Sequence, residues 1–382
     1  MTGVQSIMLA AGGTGGHLFP AFALAEELKR RGVAVDLMTD MRGDRYGSGF
    51  PARQVYQVPS ATLASRSPSD IAKTASALAR GTRAAFSVLG LVKPSAIIGF
   101  GGYPTFPPLL AARLRGIPTA IHEQNAVLGR ANKLLAKRVT AIATSFERTK
   151  FLEGALADKA VLTGNPVRQS VIDAAARRYE APASDGVIRI LIFGGSQGAR
   201  FFSDTVPLAL FALPDHIRKR LRVVQQAREE DLDRVKEAFV EASISAEIAP
   251  FFADLPARMA AAHLVIGRAG ASTVAELTVI GRPSILVPLP HALDNDQLNN
   301  ARRLAESGGA WCFEQKNLSP ERIADELEKL LQAPAALATA ANAAKTAGRP
   351  DAVRNLADFT LALAERKYSG GGSGSGRERS ST

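Results

Sequence analysis

The chain has 382 residues, 46% of them hydrophobic and 22% charged, which suits two domains with packed cores and excludes a disordered or fibrous protein. A formal net charge of +11 selects an anionic partner. With only 6% aromatic residues and no nucleic-acid-binding motif, that partner is not expected to be nucleic acid.

In chain order, short apolar runs predict strands over Ser6–Ala11, Ala34–Thr39, Ser95–Phe100, Thr119–His122 and Ala141–Thr144. A second set follows at Arg189–Phe193, Arg222–Gln226, Glu247–Phe251, Leu264–Gly267 and Ser284–Val287. Amphipathic stretches lie between them, among them Phe22–Arg31, Asp231–Ala242 and Pro320–Leu331. Strands alternating with helices predict an α/β protein with parallel sheets covered by helices. The two sets are separated by Gly164–Ser184, so two Rossmann-like, doubly wound domains facing across a cleft are expected. No apolar run approaches the roughly 20 residues that span a bilayer, and no signal segment opens the chain, so a soluble or peripheral protein is expected. The final Gly/Ser-rich stretch reads as a flexible tail.

Each half opens with a strand that runs into glycines. Residues Gly12–Gly16 read GGTGG, directly before His17, and Gly194–Ala199 read GGSQGA. The first loop is not a dinucleotide fingerprint, because Leu18 stands where the third glycine belongs, nor a P-loop, which would need Gly-Lys-Ser/Thr. Glycines before a helix start nonetheless suit a diphosphate, since free backbone N–H groups point at it. A third loop, Gly101-Gly102-Tyr103, follows the Ser95–Phe100 strand. Tight turns explain either loop of the first half alone; two at one sheet edge favour two phosphates of one ligand.

His17 is a candidate general base, with phosphate binding and helix capping as the alternatives. The other histidines have no metal-ligand spacing with one another or with Cys312, which beside Trp311 and Phe313 reads as a small buried hydrophobe. A lone cysteine permits no intramolecular disulfide and suits a reducing compartment. Asp231 and Asp233 read as a solvated helix face, and Asp294 and Asp296 form only a nominal metal pair. Late in the chain, Thr273 and Glu276 have the spacing of a capping box, yet Glu276 about one turn into a helix can also accept from ribose hydroxyls. Arg268 and Gln297 flank the same region, within reach of a phosphate or sugar.

Taken together, GGTGGHLFP, GFGGYP, HEQNA, GNPVR, GGSQGA, GRAGASTVAE and DNDQLNNA, in this order from about Ile7 to Asp358, resemble the MurG family of peptidoglycan N-acetylglucosaminyltransferases. The resemblance implies a GT-B fold and an inverting, metal-independent transfer without a cofactor. GlcNAc would pass from UDP-GlcNAc to the C4 hydroxyl of MurNAc in undecaprenyl-linked lipid I, giving lipid II. It implies an acceptor and membrane-docking domain over 1–166, a UDP-GlcNAc domain over 167–349, a helix near 350–367 returning to the first domain, and a tail over 368–382. The implied donor contacts are Thr14, Gly15, Gly16, Asn125, Arg168, Ser196, the Phe252 backbone, Arg268, the helix start Ala271, Ser272, Thr273, Val274 and Ala275, then Glu276 and Gln297. Acceptor contacts fall on Gly13, Gly15, Gly16, Gly101, Gly102 and Tyr103.

The expected setting is peripheral, on the cytoplasmic face of the inner membrane, with an anionic lipid surface and cell-wall synthesis and division proteins as partners. The stretch from Ser69 to Pro94 suits such a surface, with Lys73, Arg80, Arg83 and Lys93 interspersed among Ile71, Ala75, Leu78, Ala79, Phe86, Leu89 and Val92. Its bland alternative is a core-facing helix with a solvated basic side. For the chain as a whole, the competing readings are another GT-B enzyme with a different lipid or natural-product acceptor, and a non-catalytic nucleotide-sugar-binding protein.

Overall fold

The computed structural model describes residues 6–12, 15–40, 49–60, 67–195, 198–290 and 292–369. Two compact units divide the chain, Met1–Pro166 together with Asp351–Thr382, and Val167–Pro350.

The first unit is built on seven strands: β1 (Ser6–Ala10), β2 (Ala34–Thr39), β3 (Gln54–Gln57), β4 (Ala96–Gly99), β5 (Thr119–Glu123), β6 (Ala141–Thr144) and β7 (Ala160–Leu162). Their order is β3-β2-β1-β4-β5-β6-β7, with every pairing parallel. Successive residues of β1 feed opposite faces, as the pleat requires. Ile7 and Leu9 join Leu24 and Leu28 of the helix Gly15–Arg30, together with Leu356 and Leu363 of the helix Ala352–Ser369. Met8 and Ala10 join Ala85 and Leu89 of the helix Pro68–Val92 and Leu109 of the helix Phe106–Leu114. The C-terminal helix is tied further by an ion pair between Arg31 and Asp358.

In the second unit the strands are β8 (Ile188–Phe193), β9 (Leu221–Gln226), β10 (Ser245–Ala249), β11 (Leu264–Gly267), β12 (Ser284–Leu286) and β13 (Ala310–Cys312). They are again all parallel, in the order β10-β9-β8-β11-β12-β13. Ile188, Ile190 and Ile192 pack on Phe202 and Val206 of the helix Arg200–Phe211.

In both sheets the strand order reverses beside the first strand, between β1 and β4 and between β8 and β11. Ligands of doubly wound sheets bind beyond the carboxyl ends of the strands at such a point. The glycine loops after β1, β4 and β8 and the helix start after β11 all fall there. The strands that sequence reading omits, β3, β7 and β13, are sheet edges of three or four residues, and apart from Ala310 all their residues are exposed or half-exposed. An edge strand buries too little to need a continuous apolar run, so its sequence carries a weaker signal.

Candidate active site

The loops after β1 and β4 lie against each other at the switch point of the first unit. A Cβ built on Gly12 would sit 3.4 Å from Pro104 Cδ and 3.6 Å from the Gly101 carbonyl oxygen. Gly101 and Gly102 have φ of +93° and +75°, a region in which side chains are strained, so glycine is needed for conformation as well as for space. His17 stands in the first turn of the helix Gly15–Arg30 and lays its imidazole along these glycines. A Cβ on Gly101 would come within 3.2 Å of its Cδ2 and Nε2, and one on Gly102 within 3.4 Å of its Cε1 and Nδ1. That helix begins well before the Phe22 expected from periodicity, with Pro20 inside it. Burial lowers the His17 pKa to about 4, so the imidazole is neutral at neutral pH. Tyr103 opens a short 3-10 turn directly after the glycines. Gly13 and Thr14 lie outside the described residues.

Beneath this turn lies a buried polar network at the end of β5. His122, fully buried, places Nε2 3.0 Å from the Gly164 carbonyl oxygen, and Nδ1 3.0 Å from the amide nitrogen of Gln124. A carbonyl only accepts, so Nε2 carries the proton and Nδ1 accepts. Burial lowers this imidazole also to about 4. Glu123 accepts from the Asn125 backbone N–H at 3.0 Å, the Asn125 amide at 3.3 Å, the Gly129 N–H at 2.9 Å and the Asn132 amide at 2.8 Å. Burial nevertheless raises its pKa. Sequence reasoning singles out Asn125 from this stretch and passes over Glu123, Gln124 and Asn132. The only signal for them is polarity where an apolar strand ends.

In the second unit Gly194, Gly195 and Gly198 turn the chain after β8, the latter two with φ of +87° and +67°. A Cβ on Gly194 would overlap the Ala199 amide nitrogen at 2.3 Å, so the turn closes only without a side chain. Ser196 lies outside the described residues. After β11, the helix Ala271–Ile280 starts with Ala271, Ser272, Thr273 and Val274 and is N-capped by Gly270. The capping-box reading of Thr273 and Glu276 therefore fails, because both residues are inside the helix. Glu276, 9% exposed, instead faces Arg168, whose Nη2 lies 3.2 Å from its Oε1. Burial raises the Glu276 pKa, and Arg168 opposes the rise.

Two other expectations change in detail. Arg268 is buried and turned into the fold: Nη1 donates to the Val287 and Pro288 carbonyls at 3.0 and 3.1 Å, and Nη2 to Gln315 Oε1 at 2.8 Å. Those donors are engaged with the protein rather than presented to a phosphate, and burial lowers the guanidinium pKa to about 10. Asp231 is not a solvated residue, since its carboxylate is buried and paired with Arg228 and Arg234. The pair Asp294 and Asp296 forms a helix-entry turn. Asp294 and Asn295 have φ of +58° and +53°, and Asp296 Oδ1 accepts the Gln297 N–H at 2.7 Å. Two consecutive left-handed non-glycine residues store strain of a kind that clusters at ligand sites. Gln297 itself accepts the Leu289 N–H through Oε1 at 3.0 Å, bracing the loop after β12. Phe252, buried in the loop after β10, carries the Arg258 guanidinium 4.4 Å over its ring.

Two all-parallel units of this design, with glycine turns and a helix start at their switch points, define the GT-B class of glycosyltransferases. Residues 7–144 match the glycosyltransferase family 28 N-terminal domain, and residues 189–356 match the family 28 C-terminal domain. A UDP-N-acetylglucosamine--N-acetylmuramyl-(pentapeptide) pyrophosphoryl-undecaprenol N-acetylglucosamine transferase of Chelativorans sp. is 53% identical over 94% of this chain and 96% of its own length. The enzyme of the same name from Mesorhizobium japonicum is likewise 53% identical, with the same coverage. The crystal structure of Acinetobacter baumannii MurG superimposes with a TM-score of 0.78 at 29% identity, covering 94% of this chain and 99% of that one. The chain belongs to glycosyltransferase family 28, within its MurG branch.

Proposed function

We propose that this protein transfers GlcNAc from UDP-GlcNAc to the C4 hydroxyl of MurNAc in undecaprenyl-linked lipid I, giving lipid II. The observation that carries this reading is the 53% identity to transferases of that name over nearly the whole of both chains. The second unit takes the donor. Its Ala271–Val274 helix start offers backbone N–H groups and a positive dipole end to the UDP diphosphate. The glycine turn after β8, with Ser196, completes that cradle. Glu276 accepts from the ribose hydroxyls, Arg168 holds its carboxylate, the Phe252 backbone meets the uracil, and Gln297 contacts the sugar.

Charge that develops on the leaving UDP is stabilised by these fixed dipoles. The first unit takes the acceptor diphosphate along Gly13, Gly15, Gly16 and Gly101–Tyr103, with Thr14 and Asn125 reaching the donor sugar. His17, neutral at working pH, removes the C4 hydroxyl proton as that oxygen attacks the anomeric carbon from the face opposite UDP, inverting it.

Among the described residues no helix is long and apolar enough to cross a membrane. We assign membrane contact to the helix Pro68–Val92. Gly81, Ala85 and Leu89 form its buried stripe, so Leu89 belongs to the core and not to a lipid face. Lys73, Arg80, Arg83 and Lys93 are exposed, as are Phe86 and Leu91, the latter 84%. Exposed apolar groups among cations suit an anionic lipid surface on the cytoplasmic side.

Turnover of UDP-GlcNAc with a lipid I analogue tests the whole reading. Transfer to lipid I and not to unrelated lipid acceptors is the expected result. UDP-GlcNAc binding without transfer would replace the reading with a nucleotide-sugar-binding protein.

A further inference from the structure

We propose that Gln124 is a positioning residue for the transfer, holding the Phe100–Gly102 turn in place against the His17 imidazole. The inference rests on the assignment of His17 as base. Gln124 is 2% exposed, and its amide nitrogen lies 3.0 Å from the Phe100 carbonyl oxygen, 3.1 Å from the His122 carbonyl oxygen and 3.0 Å from His122 Nδ1. Two N–H groups thus serve three acceptors, tying the end of β4 to the end of β5. His122 extends the tie through Nε2 to Gly164.

Beyond the Phe100 ring, which is buried in the core 5.5 Å from the His122 ring, the turn being held consists of two glycines at positive φ that carry no side chain to fix them. It is anchored through its backbone instead: the Phe100 N–H donates to Ala10 at 2.8 Å, Gln124 donates to the Phe100 carbonyl, and Thr105 Oγ1 donates to the Gly102 carbonyl at 2.8 Å. The glycines that follow Phe100 leave the room the imidazole occupies, since a Cβ on either would crowd its ring at 3.2–3.4 Å. A shift of this turn therefore moves the base, and misplacement of about 1 Å costs up to ~10²-fold in rate.

The bland alternative is that Gln124 satisfies buried carbonyls and contributes stability alone. Substitution of Gln124 also removes the hydrogen bond that His122 Nδ1 accepts, so coupling to His17 is the readout that separates positioning from stability.

The test uses the full-length enzyme with UDP-GlcNAc and a short-chain lipid I analogue, comparing Gln124→Met, His17→Ala and the double variant. Gln124→Met, of similar length but without donors, is expected to lower kcat about 10- to 100-fold with the donor KM within about twofold of the parent. In the His17→Ala background the same substitution is expected to cost less than about twofold, because residues acting through one group are not additive. Gln124→Asn, which keeps the amide but is one methylene short of the Phe100 carbonyl, is expected to show the same pattern and carries the test should the methionine variant not fold. Full additivity with His17→Ala, or an unchanged kcat in a folded variant, overturns the positioning role. A His17→Ala loss below tenfold overturns the base assignment itself. A Gln124→Met loss exceeding that of His17→Ala overturns positioning through His17.

Discussion

Arg168 and Glu276, 108 positions apart, meet through a 3.2 Å contact between Nη2 and Oε1, with the arginine side chain 42% exposed and the carboxylate nearly buried. In the proposed function this carboxylate accepts from the ribose hydroxyls. Glu276→Ala is expected to weaken UDP-GlcNAc binding by about 1.5–3 kcal/mol, the scale of a lost charge-assisted hydrogen bond. Because Glu276 caps no helix, the loss is expected without the drop in melting temperature that follows removal of a cap. Calorimetric titration beside a thermal melt separates the two.

Arg168→Ala removes the group that opposes the burial-driven rise in the Glu276 pKa. That pKa should climb further, and the protonated carboxyl accepts more weakly. Donor affinity of this variant should therefore fall off at a higher pH than in the parent when the solution is acidified. Identical pH dependence in the two proteins would separate Arg168 from the carboxylate's function.

His17→Ala is expected to lower kcat by roughly 10²–10⁴-fold with donor affinity near normal. Since burial holds this imidazole near 4, its protonation on acidification should place the acid limb of kcat/KM nearer 4 than the ordinary 6.5. A limb at 6.5 would show the base to be a more solvated group.

His122 has consequences for stability. Its folded pKa of about 4 lies below the unfolded 6.5, so between those values the unfolded chain binds more protons. Stability is whole above pH 6.5 and falls as pH drops toward 4, by about 3 kcal/mol in total. Glu123, with a raised pKa, acts in the opposite sense. The measurement is therefore the difference in urea unfolding between the parent and His122→Gln from pH 7.5 to 4. A constant difference would refute the linkage.

Reversing three charges of the basic helix, Lys73→Glu, Arg80→Glu and Arg83→Glu together, should reduce co-sedimentation with anionic vesicles. Activity on a short-chain soluble acceptor should survive, because these residues touch neither substrate in the proposed mechanism. Unchanged sedimentation would move the membrane contact to another face.

By itself the sequence determined the interior of both sheets and the location of the loops at their carboxyl ends. Strands such as Ile7–Ala10 and Leu264–Gly267 are buried throughout, and a strand covered on both faces has to be written as an apolar run. Glycine clusters were equally legible, because turns such as Gly101–Gly102 and Gly194–Gly195 admit no other residue type without strain or overlap. Only the tertiary structure decided what the polar residues do. A side chain's local spacing does not say which distant group it will meet: Glu276 has the spacing of a cap and pairs with Arg168, while Arg268 sits like a phosphate ligand and bonds carbonyls. Edge strands β3, β7 and β13 likewise take their conformation from the neighbour they extend, since their own residues bury too little to require it. The contact between His17 and Gly101 has the same origin: it exists because parallel pairing sets β1 beside β4, and nothing local to either residue encodes it.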